Sequence, residues 1–164
     1  MIHRIPNAHE YHPAHDAEWI AKDPRPNYIL EQPEIHKAYK SLEAIQHLRV
    51  YDTAPQYITE YCDQQFEVWH ASILCQEPGG FLPWHTDFFK YFREKYGETD
   101  RITRYNIFLQ DRKPGHFLDA EGVNIADWHA GDYLVFSESD WHCSSNAGPF
   151  NKYTCQVTGL LKTA

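Results

Sequence analysis

The chain has 164 residues, enough for one well-cored domain and too few for two comfortable ones, and its aromatic fraction of 15% promises a large buried area. A formal charge of -8, from 15 basic and 23 acidic residues without a Lys/Arg cluster, argues against nucleic acid or an anionic membrane surface as the main partner. A neutral or cationic substrate, small molecule or peptide, is easier to accommodate, and no run of about 18 apolar residues offers a membrane span.

Residues 1–33 carry Pro6, Pro13, Pro24, Pro26 and Pro33, too many for a continuous helix or a central strand. An irregular wrap is expected, with a short helical turn over 17–20. His9, His12 and His15 recur at threes, but Pro13 and polar neighbours make them a solvated surface segment. From Glu34 to Leu48 the apolar Ile35, Ala38, Tyr39, Leu42, Ile45 and Leu48 recur at three and four, the helix period, with Pro33 at the first turn. A second helix is expected over 55–65. Both should pack outside a sheet.

After residue 65 the pattern changes to short aromatic and β-branched runs separated by Gly and Pro pairs. Strands are expected at 67–76, 81–87, 102–110, 116–119, 123–126, 132–136, 141–146 and 152–161, a number and spacing that suit a barrel or jelly roll. One domain covers 1–164, with an irregular and helical part to residue 65 and a β core over 66–164. The interruption at 88–100 is charged and helix-compatible and forms a candidate lid. Cys62, Cys75, Cys143 and Cys155 have no Cys-x-x-Cys spacing, and the N-terminal residues resemble no signal peptide, so a cytoplasmic protein with reduced thiols is expected.

His85 and Asp87, two residues apart on an extended chain, project to one side. With a second histidine they would form the 2-His-1-carboxylate triad that holds non-haem Fe(II) and leaves positions open. His142, just after the apolar run 133–136, supplies the candidate. Alternation sorts the long strands as well. On 152–161, Lys152, Thr154, Gln156 and Thr158 share one face; on 102–110, Arg104, Asn106 and Phe108 do. Lys152 and Arg104 either sit on the solvent face or line the barrel and await an acid; the same faces offer no obvious carboxylate, and a dicarboxylate ligand would fill that place.

His85-Thr86-Asp87, then His142, then Lys152 with Thr154 beyond it, resembles the iron(II)- and 2-oxoglutarate-dependent oxygenase superfamily. The run 131–136 is similar to the strand that precedes the distal histidine in these enzymes, and the resemblance spans roughly 72–161. Glu77-Pro78-Gly79, the run from Arg104 to Leu109 and Trp128 look like the aspartyl/asparaginyl β-hydroxylase-like group, whereas Asp87 and Lys152 are closer to the prolyl hydroxylase-like pattern. The resemblance implies a mainly β, cupin-like double-stranded β-helix with Fe(II) on His85, Asp87 and His142. It implies 2-oxoglutarate held by Lys152 and Thr154, with Arg104 and Asn106 as further cosubstrate contacts, and O2 as oxidant. Hydroxylation of an unactivated C–H bond, with release of succinate and CO2, follows. Trp84, His116 and Trp141 are weaker candidates for substrate contact or for supporting the ligands, and for His116 a structural role competes. Two other classes remain open: a cupin-like isomerase or ring-cleaving dioxygenase without 2-oxoglutarate, and a non-catalytic jelly-roll binding protein.

Overall fold

The computed structural model describes residues 1–14, 17–22, 47–97, 99–123 and 125–163. Among these residues the elements are β1 (His3–Arg4), β2 (Ile20–Lys22), β3 (His47–Tyr51), α1 (Gln56–Gln65), β4 (Phe66–Gln76), β5 (Phe81–His85), α2 (Lys90–Tyr96), β6 (Ile102–Phe108), β7 (His116–Ala120), β8 (Asp132–Phe136), β9 (His142–Asn146) and β10 (Lys152–Leu161). The strands form two antiparallel sheets, a 7-stranded one in the order β1-β8-β6-β10-β4-β3-β2 and a 3-stranded one in the order β5-β9-β7. This is the expected double-stranded β-helix.

Strand β10 is its axis, pairing with β4 on one side and β6 on the other. Register then settles which residues share a face. Lys152 stands opposite Gln76; Thr154 opposite Leu74 and Phe108; Gln156 opposite Ser72 and Asn106; Thr158 opposite His70 and Arg104. This polar face turns into the barrel. The alternate face, with Ile73, Tyr105, Ile107, Cys155 and Val157, forms the main apolar core with Tyr57, Ile58 and Cys62 of α1. Those helical residues recur at the spacing that puts them on one side of α1, and the helix ends where Phe66 adopts extended backbone. The sheet is therefore apolar on its outer side, under α1, and polar on its inner side.

A second apolar cluster, Phe108, Leu118, Ala120, Trp128, Leu134 and Phe136, fills part of the space between the sheets. A third, Phe89, Phe92, Ile102 and Leu160, seats α2, so the candidate lid is docked in this structure. Arg93 of α2 also meets Glu138 in the β8–β9 connection at 2.6 Å, and Glu138 accepts the Phe89 backbone N–H at 3.0 Å.

The sequence expectations hold for α1 and for most strands, and 132–136 and 152–161 match to the residue. Three need correction. Residues 17–19 have no regular structure instead of the expected helical turn, and Ile20 already belongs to β2. Of the strand expected over 123–126, Val123 makes an isolated bridge with Ala120, and Ile125 and Ala126 are in no strand. The helix expected from 34 to 48 falls outside the described residues, except that His47 and Leu48 are in β3, where the neighbouring strand β4 overrides the helical period. His9 and His12 are exposed, as expected of a solvated segment.

Two turns foreseen from Pro-Gly and Gly-Pro pairs cross at the end of the barrel. Gly115 has φ +87, and a Cβ there would lie 2.1 Å from the Gly148 nitrogen; one on Gly148 would lie 1.9 Å from the Pro114 carbonyl oxygen. Neither obstacle is a flexible side chain. Gly148→Ala should therefore lower stability by about 2–3 kcal/mol, as overpacking does, read as a lower urea-unfolding midpoint with unchanged slope; an unaltered midpoint would contradict the close approach.

Candidate metal centre

Strand β5 carries His85 inward, β9 carries His142, and the two residues are direct partners across the small sheet. Asp87 follows on the extended segment after β5, and all three side chains are buried. One ligand atom from each lies within 4.8 Å of the others. His85 Nε2 is 3.9 Å from Asp87 Oδ1, and His142 Nε2 is 3.6 Å from Asp87 Oδ2. The three residues selected from sequence thus converge.

Their hydrogen bonds orient them for a cation. Nδ1 of His85 donates to the Pro83 carbonyl at 2.6 Å, and Nδ1 of His142 donates to the Asp140 carbonyl at 3.0 Å, leaving both Nε2 lone pairs toward Asp87. The His142 ring stacks on Phe136 with centroids 4.2 Å apart and planes at 5°, which fixes its plane. Burial, with His142 close by, lowers the His85 pKa to about 4, so this imidazole is neutral at physiological pH. Burial opposes ionisation of Asp87, but Arg104, the two imidazoles and Arg49 outweigh it and hold the carboxyl below its ordinary value.

Arg104 is the residue that divides the carboxylate. Its Nη1 donates to Asp87 Oδ1 and its Nε to Thr158 Oγ1 at 2.9 Å, while Phe89 lies under the guanidinium, 5.3 Å from ring centroid to Cζ. Asp87 Oδ2 is buried and has no hydrogen-bond partner. A buried carboxylate oxygen costs free energy unless something pairs with it. Two imidazole nitrogens and a carboxylate oxygen with no hydrogen-bond donor among the described residues, all turned together, are a donor set that fits a borderline divalent cation such as Fe(II).

Further along the same interior lies Lys152, 2% exposed. Its Nζ donates to the Phe117 carbonyl and to Ser144 Oγ, the latter at 2.5 Å. Ser144 in turn donates to Gln76 Oε1 at 2.7 Å. No carboxylate among the described residues pairs with Lys152, and burial lowers its pKa from 10.5 to about 7. The reading of Lys152 and Arg104 as solvent-facing is excluded. Ser144 sits two residues beyond His142 on the same face of β9, about 7 Å at the usual strand rise, so the ammonium stands one short molecule away from the triad.

The other candidates divide. Thr154 and Asn106 are buried on the inner face of the large sheet, and Asn106 Oδ1 has no hydrogen-bond partner. His116 is fully buried but belongs elsewhere: its ring nitrogen Nε2 is 2.9 Å from the Phe150 carbonyl, and its β9 partner is Asn146, four residues from His142. Trp84 and Trp141 stack on one another, with centroids 6.4 Å apart, rather than on the triad. Sequence reading missed Ser144, although the two-residue strand period from His142 points to it, and Arg49, which lies just past the helix expected to Leu48 in a strand that was not foreseen. Burial raises the thiol pKa of Cys62 and Cys75 to about 12, and those of Cys143 and Cys155 rise as well, which suits unreactive thiols.

No protein-family model matches the chain, and no curated protein matches it. Solved structures do. A prolyl-4-hydroxylase from Pseudomonas putida superimposes with a TM-score of 0.53 at 15% identity, covering 90% of this chain and 95% of that one. A cupin 2 conserved barrel domain protein from Salinispora arenicola matches with a TM-score of 0.45 at 14% identity, over 93% of this chain and 90% of that one. Another, from Rhodopseudomonas palustris, matches at 0.45 and 12%, over 75% and 68%. At these identities the likeness concerns the fold alone, and the prolyl-4-hydroxylase match agrees with the double-stranded β-helix that the strand order shows.

Proposed function

We propose that the protein is an Fe(II)- and 2-oxoglutarate-dependent oxygenase that hydroxylates an unactivated C–H bond. The observation that carries this reading is Lys152, a buried lysine that pairs with no carboxylate among the described residues, one short molecule from a buried His85-Asp87-His142 cluster. An unpaired buried cation is expensive, and a dicarboxylate that reaches from the metal to Lys152 relieves that cost. The likeness in fold to a prolyl-4-hydroxylase agrees with it.

In this reading His85 Nε2, His142 Nε2 and Asp87 Oδ2 hold the metal, and Arg104 keeps Asp87 Oδ1 occupied so that the carboxylate ligates through one oxygen. Lys152 turns from the Phe117 carbonyl to the far carboxylate of the cosubstrate, with Ser144 and Thr154 offering hydroxyls and Asn106 an amide beside it. Phe108, Leu134 and Phe136 keep that interior dry, which strengthens the Lys152 pair. Iron and cosubstrate together supply the oxidation: O2 places one oxygen atom in the succinate formed as 2-oxoglutarate loses CO2, and the other between carbon and hydrogen of the substrate.

Removing the two halves of this site separately tests it. Lys152→Ala should weaken 2-oxoglutarate binding by roughly 2–3 kcal/mol, about thirty- to a hundred-and-fiftyfold, with stoichiometric Fe(II) binding retained, and His142→Ala should abolish that Fe(II) binding. Calorimetric titration reads both. Unchanged 2-oxoglutarate affinity in Lys152→Ala would remove the lysine's assignment, and metal binding with no 2-oxoglutarate affinity in the parent protein would favour a cupin-like enzyme of another kind.

The lysine also sets a pH dependence. Its free pKa is lowered to about 7, with Cys143 and His116 as its titratable neighbours, and an anion that pairs with it raises that pKa. Binding therefore takes up a proton above pH 7: affinity is greatest below the free pKa and falls by on the order of tenfold per pH unit above it, until the bound pKa is reached. Between pH 7 and 9 this slope should appear in the 2-oxoglutarate dissociation constant and vanish in Lys152→Ala. A flat profile would contradict it.

A further inference from the structure

Past His85 the ladder between β5 and β9 ends, and Asp87 stands on the irregular segment 86–89 that leads directly into α2. Something other than the sheet has to hold that arm. The other arm of the centre is the β8–β9 connection, which brings His142. We infer that Glu138, in that connection, is a positioning residue of the metal centre: it clasps the Asp87 arm to the His142 arm, so that the ligand set is complete only while α2 is docked. It rests on the metal reading of the triad, which the closing experiment checks separately.

Three observations lead there. First, α2 cannot cap itself. Its N-cap residue, Phe89, makes no side-chain cap, and its first turn carries no acid. Phe92 occupies the third helical position, where the acid of a capping box would accept the N-cap N–H, and is buried instead against Phe89, Ile102 and Leu160. Glu138 supplies that acceptor from outside the helix: its Oε1 takes the Phe89 backbone N–H at 3.0 Å. Second, the carboxylate is itself fixed. Arg93, one turn into α2, donates through Nε to Oε1 at 2.7 Å and meets Oε2 through Nη2 at 2.6 Å, the two-pronged geometry that sets a carboxylate's orientation. Third, both ends of the clasp lie close to ligands. Phe89 is two residues beyond Asp87, and its ring lies under the Arg104 guanidinium that donates to Asp87, 5.3 Å from centroid to Cζ. At the other end Glu138 rides on a tight turn in which Ser137 N–H donates to Asp140 Oδ2 at 2.5 Å, and the Asp140 carbonyl takes the His142 Nδ1–H. Losing Glu138 therefore loosens Phe89 beneath Arg104, and with it the aim of Asp87. The side chains of Glu138 and Arg93 are each 32% exposed, and an ion pair so placed adds little to overall stability. Its effect on the metal centre is thus separable from its effect on unfolding.

The test compares Glu138→Ala and Glu138→Gln with a control, Glu67→Ala, which breaks a similarly exposed pair with Arg101, 2.7 Å apart, between β4 and the segment before β6. Anaerobic calorimetry reads Fe(II) affinity in the full chain, and amide hydrogen exchange on the metal-free protein reads the Phe89 N–H. Glu138→Ala should weaken Fe(II) binding by about tenfold, the low end of what a lost outer partner costs a metal site, and speed exchange at Phe89 by a similar factor. Glu138→Gln keeps an oxygen for the Phe89 N–H and should stay within about threefold of the parent in both readouts. Glu67→Ala should match the parent in both, whatever it does to the urea-unfolding midpoint. Unchanged Fe(II) affinity in Glu138→Ala beside a parent that binds Fe(II), unchanged exchange at Phe89, a glutamine variant as weak as the alanine one, or an equal loss in Glu67→Ala would each overturn the inference. A parent that binds no Fe(II) would reject the metal reading itself, and exchange at Phe89 would then decide alone whether Glu138 clasps the two arms.

Discussion

The contact between Arg104 and Asp87 is the interaction on which the interior depends. Arg104 belongs to the large sheet, and Asp87 follows the β5 strand of the small one, so the pair ties the two walls together where the barrel carries its charges. Asp87 is 6% exposed and would be driven toward its neutral form by burial alone. Arg104 reverses that outcome and, by engaging Oδ1, leaves Oδ2 as the unpartnered anionic atom facing two imidazoles. Breaking such a buried pair from one side typically costs about 3–5 kcal/mol, because a charge is left behind. The same bond therefore serves the fold and aims the candidate ligand.

A polar barrel interior is tolerable because the apolar work is done elsewhere. The large sheet buries its outer face under α1 and its inner face carries Gln76, Asn106, Lys152, Thr154 and Gln156. Most of those groups find partners within the barrel, as in the Lys152-Ser144-Gln76 chain. The exceptions are informative. Among the described residues Asp87 Oδ2 and Asn106 Oδ1 are buried acceptors without donors, and Lys152 is a buried lysine without an acid, all on surfaces that face the same interior. Gathered on one interior, groups of this kind mark it as the candidate functional site.

Much of this was legible in the sequence, for physical reasons. The two-residue period of a strand is rigid, so the pairing of His85 with Asp87 on one side and the shared face of Lys152, Thr154, Gln156 and Thr158 could be read without coordinates. Long strands bounded by Gly and Pro, such as β8 and β10, were read to the residue. What could not be read was which face of β10 is inside, because both faces are covered and the polar one is inward. Val123 failed as a strand because it makes a single bridge, to Ala120, and Leu48, the end of the expected helix, is in a strand because it pairs with Cys75 of β4. Arg49 and Ser144 take their meaning from register across strands, information that resides in the pairing and in no local pattern.

The central claim is that the triad and Lys152 hold one iron and one 2-oxoglutarate together. Its most direct measurement is an anaerobic titration of the protein with Fe(II) and 2-oxoglutarate, following the weak visible charge-transfer band of the chelate. The account predicts a band that requires both components, saturates at one equivalent of each, and is lost in His85→Ala. Fe(II) binding without the band would contradict the cosubstrate assignment, and the absence of stoichiometric Fe(II) binding would contradict the metal centre itself.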